Sequence, residues 1–196
     1  MDRVSSRQLC REGDVQRVAV IGNAGGGKST LTRTLGEVFG LPIYPVDQVQ
    51  WRPGWRAVPK DEVTAKLDAL ASGSRWIIDG WGPWPTIERR FTAADTIIVV
   101  DHPVWVHFWW AAERQIACAR GDGRPDGPDG CDMLDVTPRL FRMIWDIDQN
   151  LMPRLRRLTD AVESGRIVHR IKSPEALDSF RAEVQTKPRR SAMQKS

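Results

Sequence analysis

Residues 22–29 read Gly22-Asn23-Ala24-Gly25-Gly26-Gly27-Lys28-Ser29, the pattern G-x-x-x-x-G-K-[ST]. An apolar run, Val18-Ala19-Val20-Ile21, leads into it, and a helical pattern leads out. A strand entering such a loop and a helix leaving it give the pattern its physical meaning. Glycines let successive backbone N–H groups curl around one anion. The start of the following helix aims its positive end at the same point. Lys28 adds a side-chain cation, and Ser29 offers a hydroxyl to Mg²⁺. The string therefore predicts a polyphosphate cradle made of Gly22, Asn23, Ala24, Gly25, Gly26, Gly27, Lys28, Ser29 and Thr30.

The rest of the chain alternates strands with helices. A first helix is predicted from Lys28 to about Phe39, with Leu31, Leu35, Val38 and Phe39 on one face and Gly40 as its stop. Residues 42–46 read as a short strand ended by Asp47, and a Trp-rich loop, Trp51-Arg52-Pro53-Gly54-Trp55, follows. A helix is expected over 60–72, and Arg75–Asp79 and Thr96–Val100 are near-continuous apolar runs, as buried parallel strands are. Residues 103–120 read as a helix with Trp105, Phe108, Trp109, Ala112 and Ile116 inward. A long helix over about 138–163, with Trp145 as a core residue, is expected to kink at Pro153. Ile167–Arg170 is a fifth strand, and Ser173-Pro174 caps a last helix. The expected fold class is α/β: a P-loop NTPase three-layer α/β/α sandwich on a five-stranded parallel sheet.

Composition narrows the setting. A chain of 196 residues with 41% hydrophobic and 28% charged residues suits one domain with a real core. The expected organisation is a loose leader over 1–16, one domain over 17–184 with a lid at about 114–137, and a basic disordered tail over 185–196. Cys10, Cys118 and Cys131 lack zinc or redox spacing and fit a reducing cytoplasm. His102, His107 and His169 have no partners at ligand spacing and read as structural. No signal-peptide pattern or membrane-length apolar run is present. The net charge of +4 suits arginines beside a polyphosphate; nucleic acid is a weaker alternative, since no long basic helix appears.

Ligands in such folds bind beyond the carboxyl ends of the strands. Asp79 ends the strand Ile77-Ile78-Asp79 and is placed either to hold Mg²⁺ with Ser29 or to make a turn. Asp47 ends the neighbouring strand on the same edge, where its carboxylate can take a hydrogen bond and then a proton from an acceptor hydroxyl. Arg52 stands close enough in sequence to hold an anionic group on that acceptor, with Trp51 and Trp55 as walls. Trp81 and Trp84 join them at this edge, where indoles either stack on a base or pack the loops. Residues 121–130, rich in Gly, Asp and Pro, are either an acidic linker or a mobile lid that brings Arg120 and Arg124 to the phosphates.

Trp76-Ile77-Ile78-Asp79-Gly80-Trp81 resembles the adenylate-kinase strand that ends in Asp-Gly. Four stretches together resemble the DNA topology modulation (FlaR-like) proteins, which are adenylate-kinase-related P-loop proteins. These are Gly22–Ser29; Asp47 with Trp51–Trp55; Arg75–Gly80; and Asp101-His102-Pro103 running on to Arg124-Pro125-Asp126. The resemblance implies a nucleoside-monophosphate-kinase-like fold with a lid, ATP as phosphoryl donor, Mg²⁺, and an acceptor pocket bordered by Asp47 and Trp51–Trp55. It also implies lid arginines, for which Arg114, Arg120 and Arg124 are the matches. Two departures stand out. The Arg expected after Asp79-Gly80 is missing, with Arg89 or Arg90 as the nearest replacements, and Trp110, Ala117 and Ala119 occupy positions that are more basic in that family. A kinase with an unidentified acceptor is the leading expectation, and a nucleotide-dependent regulatory or nucleic-acid-binding protein with weak transferase activity is the alternative.

Overall fold

A computed structural model describes residues 15–121, 127–162 and 166–186. Most of the expected leader, the tail from 187 onward, and the centre of the expected lid with Arg124 lie outside the described residues. Five strands form one parallel sheet: β1 (Arg17–Gly22), β2 (Ile43–Pro45), β5 (Trp76–Asp79), β6 (Thr96–Val100) and β7 (Ile167–Ile171), in the order β2-β5-β1-β6-β7. The expected three-layer parallel α/β architecture is the one found. Between β2 and β5 lie two further short strands, β3 (Trp51–Arg52) and β4 (Arg56–Ala57), which pair antiparallel as a hairpin of their own.

The central strands are buried on both faces, and alternation sorts their side chains into two cores. Val18, Val20, Ile77, Ile98 and Val100 meet α1 (Lys28–Phe39) and α8 (Pro174–Gln185) through Leu31, Leu35, Leu177 and Phe180. Ala19, Ile21, Ile78, Ile97 and Val99 face the other way, onto α3 (Lys60–Ala71), α4 (Trp84–Ala93) and α7 (Met152–Asp160). Gly40 ends α1 in the left-handed conformation, and the Ser173 hydroxyl caps α8 by accepting from the Ala176 N–H, both as read from sequence.

Four local expectations change. Asp47 does not end a strand; it lies in the first turn of a five-residue helix, α2 (Val46–Gln50). Residues 84–93, where no element was expected, form α4 after Pro83, with Trp84 and Pro85 opening it and Ile87 and Phe91 buried on its inner face. The 138–163 helix is α6 (Thr137–Asp146), a π-helical turn at Ile147–Leu151, and then α7. Pro153 explains the interruption: it has no N–H for the preceding turn, and a one-residue register shift absorbs the loss. Finally, α5 (Val104–Ala119) presents the opposite face to the one expected. Trp105 and Trp109 are 65% and 62% exposed, and Val106, His107, Ala111 and Gln115 are buried. Trp145 on α6 is also 50% exposed and is no core residue. The buried face of α5 carries two polar residues, His107 and Gln115, where it meets the Ala24 carbonyl of the loop and the Thr137 hydroxyl, which need hydrogen-bond partners.

Candidate active site

Residues 23–27 pass from the end of β1 into α1. Gly22 touches the neighbouring strand so closely that a Cβ would sit 2.3 Å from the Val100 carbonyl oxygen. Gly25 and Gly27 have φ of +67° and +76°, and a Cβ on Gly25 would meet the His107 carbonyl oxygen at 2.8 Å. These positions therefore require glycine. α1 starts at Lys28 with no side-chain cap and no acidic residue in its first turn, so its leading N–H groups face the loop's concavity. The Lys28 ammonium donates to the Asn23 carbonyl at 2.7 Å and lies folded against the loop. Asn23 is fully buried; its amide donates to the Ile144 carbonyl at 2.8 Å and its side-chain oxygen accepts from the Ala24 N–H. That bond ties the loop to α6.

Beneath the loop sit two buried imidazoles. His107 Nδ1 lies 3.0 Å from the Ala24 carbonyl, which can only accept, so the ring carries its proton on Nδ1. Burial, then the Lys28 and His102 charges, lower the His107 pKa to about 4. Burial likewise lowers that of His102, whose ring centre is 5.5 Å from that of His107. Both are neutral at physiological pH and brace the loop without adding charge.

The strand register sets the rest of the edge. Asp79 is paired with Val20 of β1 on one side and Pro45 of β2 on the other. Asp47 follows Pro45 by two residues, so the ends of β2, β5 and β1 line up Asp47, Asp79 and the phosphate loop. The turn after Asp79 is held from below by Arg90, which is 2% exposed. Its guanidinium donates to the Gly80 carbonyl at 3.0 Å, to the Trp81 carbonyl, and to the Thr86 carbonyl at 3.2 Å. Burial lowers its pKa to about 10, and the Asp79 charge opposes that shift. The Trp81 indole N–H donates to the Gly22 carbonyl at 2.9 Å, which places this ring against the start of the loop.

One cavity of about 970 Å³ joins these groups. Its floor is the loop from Gly22 to Thr30 with Asp79, Gly80 and Trp81. One wall comes from α5 through Trp110, Arg114, Ala117 and Cys118, and another from Asp47, Gln50, Trp51 and Trp55. Its roof is mostly apolar, with Met133 and Val136 before α6, Arg139, Leu140 and Met143 on α6, and Ile147 and Leu151 on the π-helical turn. The β3–β4 hairpin closes onto the segment before α6. Gly54 N–H donates to the Gly130 carbonyl at 2.9 Å, Trp55 N–H reaches Cys131 Sγ at 3.4 Å, and the Trp55 indole N–H reaches the Asp132 carbonyl at 2.5 Å. Trp55 pays for this with a left-handed backbone, φ +57°. Trp51 meets it edge-on, ring centres 5.6 Å apart.

The structure thus brings together Gly22, Ala24, Gly25, Gly26, Gly27, Lys28, Ser29, Thr30, Asp47, Trp51, Trp55, Asp79, Trp81 and Arg114. It does not bring Arg52, whose guanidinium pairs with Glu62 of α3 at 2.9 Å on the exposed surface. Arg120 stands at the C-terminal end of α5 and is not among the cavity's lining residues. Neither candidate for the missing arginine faces the cavity: Arg89 pairs with Asp68, and Arg90 is the buried brace beneath the turn. Trp84 donates to Glu88 and is covered by Arg154, whose guanidinium lies 3.7 Å from the ring centre. Sequence reading missed Arg33, Gln50, Trp110 and Arg139 as lining residues. Arg33 was findable, one turn beyond Ser29 on a helix whose start is fixed; Arg139 gave no signal, because nothing in the linear pattern shows that the start of α6 borders the cavity.

No family model and no curated protein matches the chain. Solved structures do. The chain is similar to shikimate kinase from Acinetobacter baumannii in complex with shikimate, at 16% identity and a TM-score of 0.55, over 92% of this chain and 96% of that one. It is also similar to shikimate kinase from Bacteroides thetaiotaomicron, at 13% identity and a TM-score of 0.54, over 87% and 97%. At these identities the likeness is one of fold, and it extends over nearly the whole chain: this is the P-loop α/β sandwich of the nucleoside-monophosphate-kinase type. Among the described residues no helix is long and apolar enough to cross a membrane.

Proposed function

We propose that the chain is a small-molecule kinase that transfers the γ-phosphoryl group of ATP to an acceptor hydroxyl. The observation that carries this reading is the shared cavity: the phosphate loop and Asp79 follow adjacent strand ends, Asp47 stands two residues past the end of β2, and all three line one cavity. The floor suits a polyphosphate: a Cβ at Gly25, Gly26 or Gly27 would collide with its surroundings, which favours a loop that offers backbone N–H groups beside Lys28 and Ser29. Ser29 and Asp79 offer the hard oxygen donors that Mg²⁺ takes, and the ion would neutralise charge on the β- and γ-phosphates. Lys28 and Arg114 supply further positive charge, and Arg120 and Arg124 are kept as lid residues that reach the phosphates when the segment over 114–137 closes.

In the proposed reaction the acceptor oxygen bonds to the γ-phosphorus as the bond from that phosphorus to the β,γ-bridging oxygen breaks. ADP leaves, and Asp47 takes the hydroxyl proton. Trp51, Trp55 and Trp81 wall the acceptor and exclude water, which limits ATP hydrolysis. The named solved structures are shikimate kinases, small-molecule kinases of the same fold. The Asp47-plus-Trp51–Trp55 stretch supports nearer kinship with the topology modulation proteins. Cytoplasmic location belongs to this reading.

The test is turnover. Wild-type protein with Mg²⁺ and ATP, assayed for ADP release against nucleosides, nucleotides, sugars and aromatic alcohols, should respond to an acceptor. Asp79→Asn should keep a thermal midpoint within a few degrees and lose most of that turnover. A variant that melts far lower but turns over normally would give Asp79 to the fold instead.

A further inference from the structure

We propose that the acceptor is an uncharged, largely apolar alcohol rather than a carboxylate- or phosphate-bearing one. The inference rests on the kinase reading above and sharpens it. Moving a carboxylate into an apolar pocket costs several kcal/mol unless a cation repays it. The cations that the sequence offered for that task are all committed elsewhere. Arg52 is spent on Glu62, Arg89 on Asp68, and Arg90 on the carbonyls of Gly80 and Trp81 beneath the floor.

On the side of the cavity assigned here to the acceptor, the lining offers Asp47, Gln50 and much apolar surface. Asp47 repels an anion at contact distance and welcomes a hydroxyl. Above it the roof offers Met133, Met143, Ile147 and Leu151, and the sides offer three indoles. Large rigid indoles with flexible thioethers opposite suit a flat or irregular hydrophobic body. The hairpin's bonds to residues 130–132 join this half's wall to its roof, so its indoles stand over the apolar residues there. Arg33 and Arg139 also line the cavity, reaching it from α1 and α6. They are the groups that would rescue an anionic acceptor, so the test includes them.

Binding of a matched pair decides the matter. Methyl 4-(hydroxymethyl)benzoate and 4-(hydroxymethyl)benzoate share ring and alcohol and differ in one negative charge; adenosine and AMP make a second pair. Each is titrated by ligand-observed NMR into protein saturated with Mg²⁺ and ADP, whose own binding is measured first, so that a failed nucleotide site is recognised separately. The neutral member of at least one pair should bind tenfold or more tighter than its anion. Met143→Arg, at a half-exposed rim position, should narrow or invert that preference. Arg33→Met with Arg139→Met should leave it in place. Equal or tighter binding of the anions, loss of anion binding in the arginine variant, or no binding of either neutral compound would overturn the proposal. Selective neutral binding without any phosphorylated product would count against phosphoryl transfer while supporting the pocket's selectivity.

Discussion

The glycine-loop half of the cavity takes its shape from backbone; the half proposed to take the acceptor takes its shape from side chains delivered by separate elements. In the loop, an added methyl at Gly22 or Gly25 would run into a carbonyl oxygen of β6 or α5. Its position is further fixed by Asn23, bonded to α6, and by His107, bonded to Ala24. In the other half, a hairpin, the turn after β5, and α6 with its π-helical extension each contribute one or two faces, mostly apolar. A site made of backbone binds one chemical group, a phosphate, in one way. A site made of side chains on a fixed frame can exchange acceptors by substitution without altering the loop. The likeness to shikimate kinases at 16% identity and below is one of frame alone.

Breaking the loop half should have the largest effect. Lys28→Ala removes a positive charge from the phosphate site, and turnover should fall by roughly 10²–10³. ATP affinity should fall with it while adenosine affinity is unchanged, as titration calorimetry would show. Equal ATP affinity in variant and wild type would mean that the loop is not a phosphate site.

The loop's bracing has a pH signature of its own. His107 has a folded pKa of about 4 against an ordinary 6.5. Above pH 6.5 both folded and unfolded rings are neutral, and the group contributes no pH dependence. As pH falls from 6.5 to about 4, the unfolded ring binds a proton that the folded ring refuses, so stability is lost; below about 4 both are protonated and the loss stops growing. The full loss is about 3 kcal/mol, at about 1.4 kcal/mol per pKa unit. Urea midpoints across this range should show it in the wild type and a flatter slope in His107→Gln. Parallel slopes would contradict the neutral, buried placement.

The same contrast explains what the sequence disclosed. The loop, the parallel strands and the ends of α1 and α8 are local: a glycine string, apolar runs and a Ser-Pro cap each specify their own conformation. That Asp47 and Asp79 line one cavity was legible because Asp79 ends β5 and Asp47 follows the end of the neighbouring β2, although Asp47 itself lies in α2. Arg52 was not, because nothing in a linear reading shows that Glu62 of α3 lies within its reach. The face of α5 was inverted for a related reason. Hydrophobicity favoured Trp105 and Trp109 as inward residues, but the surface that this helix covers includes the Ala24 carbonyl of the loop and the Thr137 hydroxyl of α6, which His107 and Gln115 meet with hydrogen bonds. Periodicity also could not show that a proline would be absorbed by a π-helical turn, nor that this turn would aim Ile147 and Leu151 into the cavity.

A small effect sharpens the comparison from the acceptor side. Arg52→Ala removes an exposed ion pair and should change stability by no more than about 0.5 kcal/mol. ATP affinity and acceptor binding should stay as in the wild type. A large loss of acceptor binding, with stability intact, would return Arg52 to the site.

The most direct test of the division between the two halves is Asp47→Asn, nearly isosteric and remote from the phosphate loop in sequence. ATP affinity is measured by calorimetry, and single-turnover transfer from γ-labelled ATP to methyl 4-(hydroxymethyl)benzoate is measured alongside. The expected result is unchanged ATP affinity and thermal midpoint with transfer reduced at least a hundredfold, within the range of a lost general base. Transfer at the wild-type rate, or joint loss of ATP binding and stability, would contradict it.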